Sequence, residues 1–189
     1  MTDSHLQAFA NEARRYCDWA ITGHDEDWNA ATALRRLVSL YASALDLPAS
    51  GGTPSETTPL VDIDQERARV AAASAALPLQ YYGQQSDPSL LPATNEAVLG
   101  DLADDVSDVF ADVRHGLWLF DQGREREALG EWVWSFQKHW GEHAVSAIRA
   151  LHIYLGEQQW NDRMRKAGSR EPEAAGSQGS CGPLDSHAA

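Results

Sequence analysis

Apolar residues recur along this chain at helical spacing. From residue 4 to 21, Leu6, Phe9, Ala10, Ala13, Tyr16, Cys17 and Ala20 fall on one stripe, with Ser4 placed to cap the start and Gly23 beyond the end. "DEDWNAATALRRLVSLYASALDLP" carries acids in its first turn, sets Leu34, Leu37, Val38, Tyr41, Ala44 and Leu45 on one face and stops at Pro48. The turn-rich "ASGGTPSETTPLVD" leads into an alanine-rich helix from about Asp64 to Leu77, which Pro78 ends. "LQYYGQQSDPSLLPAT" reads as irregular. Thr94 or Asn95 can then cap a helix running to about Gln122, followed by Gly123.

The last periodic segment, residues 124 to 160, keeps Leu129, Trp132, Val133, Phe136, Trp140, Ala144, Ala147, Ile148, Leu151 and Leu155 in one phase, with Gly141 placed to bend or split it. No alternating strand pattern appears, so the fold expected is all-α: an up-down bundle of five to six helices. From Asn161 the periodicity is lost and Gly, Ser, Ala and Pro take over. Residues 1–160 are therefore expected to form one acidic helical domain, long enough for a real core, and residues 161–189 a disordered tail.

Charge narrows the choice of partners. The net charge is −13, and the four acids of the tail balance its four bases, so the whole excess belongs to residues 1–160. Nucleic acid and anionic membrane surfaces are bound by clustered Lys and Arg and are excluded as general partners. No secretory h-region opens the chain and no apolar run approaches membrane-spanning length, which gives a cytoplasmic protein. Cys17 and Cys181 fit neither a disulfide framework nor a zinc knuckle.

"DLADDVSDVFADVRHGL", residues 101–117, packs five aspartates into twelve positions. On a helical wheel Asp101, Asp104, Asp105, Asp108 and Asp112 form one stripe that borders the apolar set Leu102, Val106, Val109, Val113 and Leu117 without joining it. Like charges three or four residues apart repel by about 0.2–0.5 kcal/mol per exposed pair. A hard cation, an arginine from a neighbouring helix or a basic partner would each offset that; a solvated face needs none of them. Asp104, Asp105 and Asp108 also spell DDxxD, the pattern by which terpene synthases hold magnesium and a diphosphate, but three letters in an acidic helix carry little weight alone.

"FQKHWGEHAVSAIRALH", residues 136–152, supplies a second constellation. His139 and His143 are one turn apart and can ligate one metal, whereas His152 points away; the same pair can equally hydrogen-bond across the helix packing. Although His139, Glu142 and His143 match the order of inverted zinc peptidases, those are much larger α/β enzymes with a further glutamate ligand. The short connection "FDQGRER" makes the acidic and His-bearing helices antiparallel neighbours. Counting from Gly123 levels Asp108 with His139 and Asp104 with His143.

"FANEARRYCDWA", "LRRLVSLYASAL", "LADDVSDVFADVRHGL" and above all "WVWSFQKHWGEHAVSAIRALH" resemble a bacterial domain-of-unknown-function family of small all-helical proteins, over roughly residues 8 to 158. The resemblance implies an all-helical domain whose family pattern includes the DDxxD region, His139, Trp140, Gly141, His143 and His152. It implies no activity.

Two functions stand at this point. The first, preferred, is an interaction module in which the aspartate stripe including Asp112, with Trp28, Trp118 and Trp134, docks a basic protein surface. The second is a divalent-metal-dependent hydrolase of a phosphorylated small molecule. There Asp101, Asp104, Asp105 and Asp108 hold Mg²⁺ or Mn²⁺, His139 or His143 serves as ligand or general base, and Arg114 or Arg149 steadies phosphate. No Gly-rich phosphate loop, Ser/His/Asp motif or cofactor fingerprint supports another enzyme class, and neither catalytic residues nor oligomeric state can be read from the chain.

Overall fold

The computed structural model describes residues 4–22, 28–48, 63–85 and 97–168. It is a helical bundle with one small sheet. The elements run α1 (Ser4–Thr22), α2 (Ala30–Leu45), α3 (Asp64–Ser74), β1 (Tyr81–Gln85), β2 (Ala97–Asp101), α4 (Leu102–Asp121), α5 (Glu125–Ser135), a π-helical turn (Phe136–Trp140) and α6 (Gly141–Gly168). The all-α class expected from the periodicity holds. A first compact unit ends at Gly156, and a second begins at Glu157.

Helix α4 is central and packs against α1, α3 and α5. Its apolar set is buried as the wheel requires, as is the whole α1 stripe from Leu6 to Ala20. Two polar contacts pin neighbours to the α4 backbone: the Tyr16 hydroxyl donates to Val106 O at 2.9 Å, and the Trp132 indole N–H donates to Val113 O at 3.0 Å. Phe9 meets Trp132 edge-on at 4.8 Å, and Phe136 lies 4.8 Å from Trp140, so aromatic rings fill the space beside α4.

Five local expectations are corrected. The buried seam of α2 is Ala30, Ala33, Leu37, Leu40 and Ala44, while Val38 and Leu45 are exposed; the alanines let α2 approach α1 closely and Leu37 and Leu40 fill the space between, which turns Val38 and Leu45 to the outside. Helix α3 ends at Ser74, short of Leu77. Two strands exist where none was expected, pairing antiparallel from Tyr81 with Asp101 to Gln85 with Ala97. Each is short and holds a glycine, and they are joined by non-local pairing, so no alternation marks them. Helix α6 continues to Gly168, so residues 161–168 are helical: Arg163, Met164, Arg165 and Lys166 are good helix formers even without an apolar stripe. Finally, the helix expected to be capped by Thr94 or Asn95 starts instead at Leu102 under Asp101, because residues 97–101 are taken up by the strand; the rest of the tail and Gly23 lie outside the described residues.

The π-helical turn gives Gly141 its reason. A Cβ there would stand 2.3 Å from the Phe136 carbonyl oxygen, so only glycine allows the backbone to close this wider turn. Such turns insert one residue into a helix and frequently mark functional positions. This one carries His139.

Candidate functional site

The acidic stripe divides between two neighbours. Asp101 ends β2 in an extended conformation and caps α4, accepting from the N–H groups of Ala103 at 2.9 Å and Asp104 at 3.4 Å. Asp104 turns toward α3, where Arg67 reaches it at 3.2 Å. The same guanidinium grips Asp108, with Nε 2.8 Å from Oδ1 and a terminal nitrogen on the same oxygen. Between α3 and the start of α4 lies an open pocket of about 300 Å³, lined by Asp64, Arg67, Asp101, Asp104 and Ser107.

Asp105 and Asp112 face the other way. Nδ1 of His143 lies 2.8 Å from Oδ1 of Asp105, and Nδ1 of His139 lies 2.8 Å from Oδ2 of Asp112. Asp105 also accepts the Tyr82 hydroxyl on Oδ2. Ionised carboxylates only accept, so each Nδ1 carries a proton, and an imidazole in its neutral form then has its lone pair on Nε2. Asp108 stands between the two pairs: its Oδ2 is 3.6 Å from Nε2 of His143. One ligand-capable atom from each of Asp108, His139 and His143 lies within 4.8 Å of the other two.

The register therefore differs from the equidistant count. His139 meets Asp112 and His143 meets Asp105, with Asp108 reaching His143 diagonally, because the residue added by the π-helical turn shifts the imidazoles along α4 and because facing is set by the stripe rather than by distance from the turn. Residues 105, 108 and 112 are three and four apart and share that stripe, whereas Asp101 and Asp104 turn to α3. Asp105, expected at the border of the core, is 4% exposed and belongs to it.

Burial sets the electrostatics. It pushes the Asp105 carboxyl above its ordinary value, although the bonds from His143 and Tyr82 pull the other way. The bond to Asp105 holds the His143 imidazole above its ordinary value, against burial. Both shifts act in one direction: the pair keeps its proton to higher pH than either group would in water. Burial likewise raises Asp112, against its bond with His139, and raises the Tyr82 phenol, where Asp105 adds to it.

Other expected site residues are committed elsewhere. Arg114 is paired with Glu66 at 3.0 Å, and Arg149 reaches the Gly83 carbonyl at 3.4 Å. Trp28 stacks on Trp19 at 4.4 Å and donates to Ala73 O at 3.0 Å; Trp118 packs against the core; Trp134 is 52% exposed. His152 is exposed. Two participants escaped the sequence reading. Arg67 sits in an alanine-rich helix whose sequence signals only solubility, and Tyr82 lies in a segment read as irregular; the Tyr-Tyr pair beside Gly83 is the one signal that pointed to a strand there.

Fold and site together define a small helical-bundle domain with an aspartate and histidine seam along its central helix and a β-ribbon laid over one end of that helix. The sequence places it further: residues 1–156 match the family described as Domain of unknown function (DUF5063), and the chain belongs to that family. Among solved structures it is similar to the crystal structure of protein BF1032 from Bacteroides fragilis, a structural-genomics target, with 21% identity and a TM-score of 0.59 over 81% of this chain and 96% of that one. That likeness is one of fold. No curated protein matches the chain.

Proposed function

We propose that the domain binds a divalent transition-metal ion through His139, His143 and Asp108. The observation that supports this best is the outer set of partners. Each of the three donors is already held from behind: His139 by Asp112, His143 by Asp105, and Asp108 through Oδ1 by Arg67, which leaves Oδ2 toward the imidazoles. Carboxylates on the far nitrogen of metal-binding histidines are a regular feature of such sites, where they fix tautomer and orientation. Donors bonded at about 2.0–2.1 Å around a tetrahedral ion stand about 3.3 Å apart, so the present spacing closes by a side-chain shift of about 1 Å.

Two imidazoles and one carboxylate suit Zn²⁺, Mn²⁺ or Fe²⁺ better than Mg²⁺, which takes oxygen donors. Three protein donors leave positions for water, and water on such an ion is a nucleophile near neutral pH, so a hydrolytic role follows in this reading. A phosphorylated substrate is less favoured than at first, because Arg114 is held by Glu66 and Arg67 by Asp104 and Asp108. Docking of a basic partner draws on the exposed Asp104 and Trp134, but most of the stripe is spent inside the domain. A cytoplasmic setting accords with the buried free thiol of Cys17 and with the lack, among the described residues, of a helix long and apolar enough to cross a membrane.

Thermal unfolding with EDTA, Zn²⁺, Mn²⁺, Co²⁺ and Mg²⁺ tests this. A transition metal at a hundredfold excess over Kd adds about 2.7 kcal/mol to folding stability. The gain should vanish in His139→Ala and His143→Ala. Equal melting in EDTA and in every metal would end the reading.

A further inference from the structure

Resting on the metal reading, we propose that Tyr82 is the positioning residue of this site: its hydroxyl, bonded to Oδ2 of Asp105, holds Oδ1 on Nδ1 of His143 and so keeps Nε2 of His143 directed at Asp108. The β-ribbon then completes a metal site whose donors all come from the α4 hairpin.

Two features make this contact more than incidental. The ring of Tyr82 lies against Gly100 of the paired strand, where a Cβ would come within 2.4 Å of it, so the ring has one seat and the hydroxyl one direction. The strand is tied to α4 at that point, since the N–H of Leu102 donates to Gln80 O at 2.9 Å, two residues from Tyr82 and three from Asp105. Asp105 is therefore gripped from both sides, by the ribbon on Oδ2 and by α6 on Oδ1. A carboxylate with a single partner can rotate about its Cβ–Cγ bond; one held at both oxygens transmits its orientation to the imidazole.

The role is that of an outer partner acting through Asp105, and such partners change metal affinity by about 10–100-fold when removed from a donor histidine. Tyr82, one link further out, should fall near the lower end. Tyr82→Phe removes one oxygen and leaves the ring on Gly100, so the fold is kept. Asp105→Asn breaks the chain one link later and serves as the second variant. Tyr81→Phe, on the exposed side of the same strand, is the control.

The closing experiment has two arms. In the metal-free protein, ¹H–¹⁵N spectra of the imidazoles should show His143 as a single Nδ1–H tautomer in the parent and in Tyr81→Phe, but mixed tautomers in Tyr82→Phe and Asp105→Asn. In Co²⁺ titrations followed by visible absorption, Tyr82→Phe should bind about tenfold more weakly with an altered band shape. A parent that takes up no Co²⁺ overturns the metal reading and this role with it. A parent that binds Co²⁺ while Tyr82→Phe matches it in affinity, band shape and tautomer overturns the role of Tyr82 alone.

Discussion

Asp105 and His143 form a hydrogen-bonded pair, Oδ1 to Nδ1 at 2.8 Å, in which the carboxylate is 4% exposed although it belongs to the most acidic stretch of the chain. An aspartate so placed is not a solvated charge. Removing its partner would leave a buried carboxylate facing only the Tyr82 hydroxyl, and breaking such a pair costs more than its formation contributes.

Stability should fall as pH rises through the titration of this pair. The folded-state value of His143 is raised, so the native protein binds more protons than the unfolded chain, and the slope of unfolding free energy with pH is negative. The stabilisation is complete below the unfolded value of about 6.5 and is lost as pH passes the higher folded value. Asp105 and Asp112, also raised, act with the same sign in the more acidic window above the ordinary carboxylate value. Melting temperatures in EDTA from about pH 5.5 to 8.5 should drop more steeply for the parent than for His143→Gln. Parallel curves would remove the pair from the account of stability.

Arg67 is expected to hold the α3 side of the domain in place. It is the cation for both Asp104 and Asp108, and its two nitrogens on Oδ1 of Asp108 make a contact that lysine cannot reproduce. Arg67→Ala should lower stability in urea unfolding by about 1 kcal/mol, the partial exposure of the pair keeping the effect modest. Arg67→Lys should recover only part of this, and high salt should narrow the gap between the parent and Arg67→Ala. An Arg67→Ala protein as stable as the parent at low salt would show the acids to be tolerated without a counter-charge.

Gly141→Ala should disturb both packing and site. The added methyl would lie 2.3 Å from the Phe136 carbonyl oxygen and close to the Phe136 ring, so the π-helical turn must open or rewind as α-helix. Overpacking of this kind costs about 1–3 kcal/mol. Because His139 sits in that turn, its contact with Asp112 should be lost as well, visible as a changed imidazole spectrum for His139 while His143 keeps its own. Unchanged stability with both imidazoles undisturbed would mean the turn is not required.

Helical periodicity determined the class of the fold, the buried face of α1 except Trp19 and the buried row of α4 from Leu102 to Leu117 though not Phe110 or Leu119, because the residues it picked out repeat at the spacing that one helix face imposes and no partner is needed to see it. It also picked out the acidic stripe and the histidine pair, though it left Asp105 at the border of a core to which that residue belongs. Tertiary structure decided the rest. The β-ribbon exists through pairing between segments whose own residues carry no alternation, so the Tyr-Tyr pair beside Gly83 was the one local sign of a strand and nothing local tied Tyr82 to Asp105. Arg67 came from a separate helix, and nothing in its neighbours distinguishes an arginine that will grip Asp108 from one that will meet water. The register of histidine against aspartate depended both on the residue added by the π-helical turn, which glycine permits but does not dictate, and on which aspartates of the stripe face the neighbouring helix. A sequence fixes which side chains a helix can present; which of them meet depends on how far neighbouring helices slide and turn, and packing of the whole core settles that.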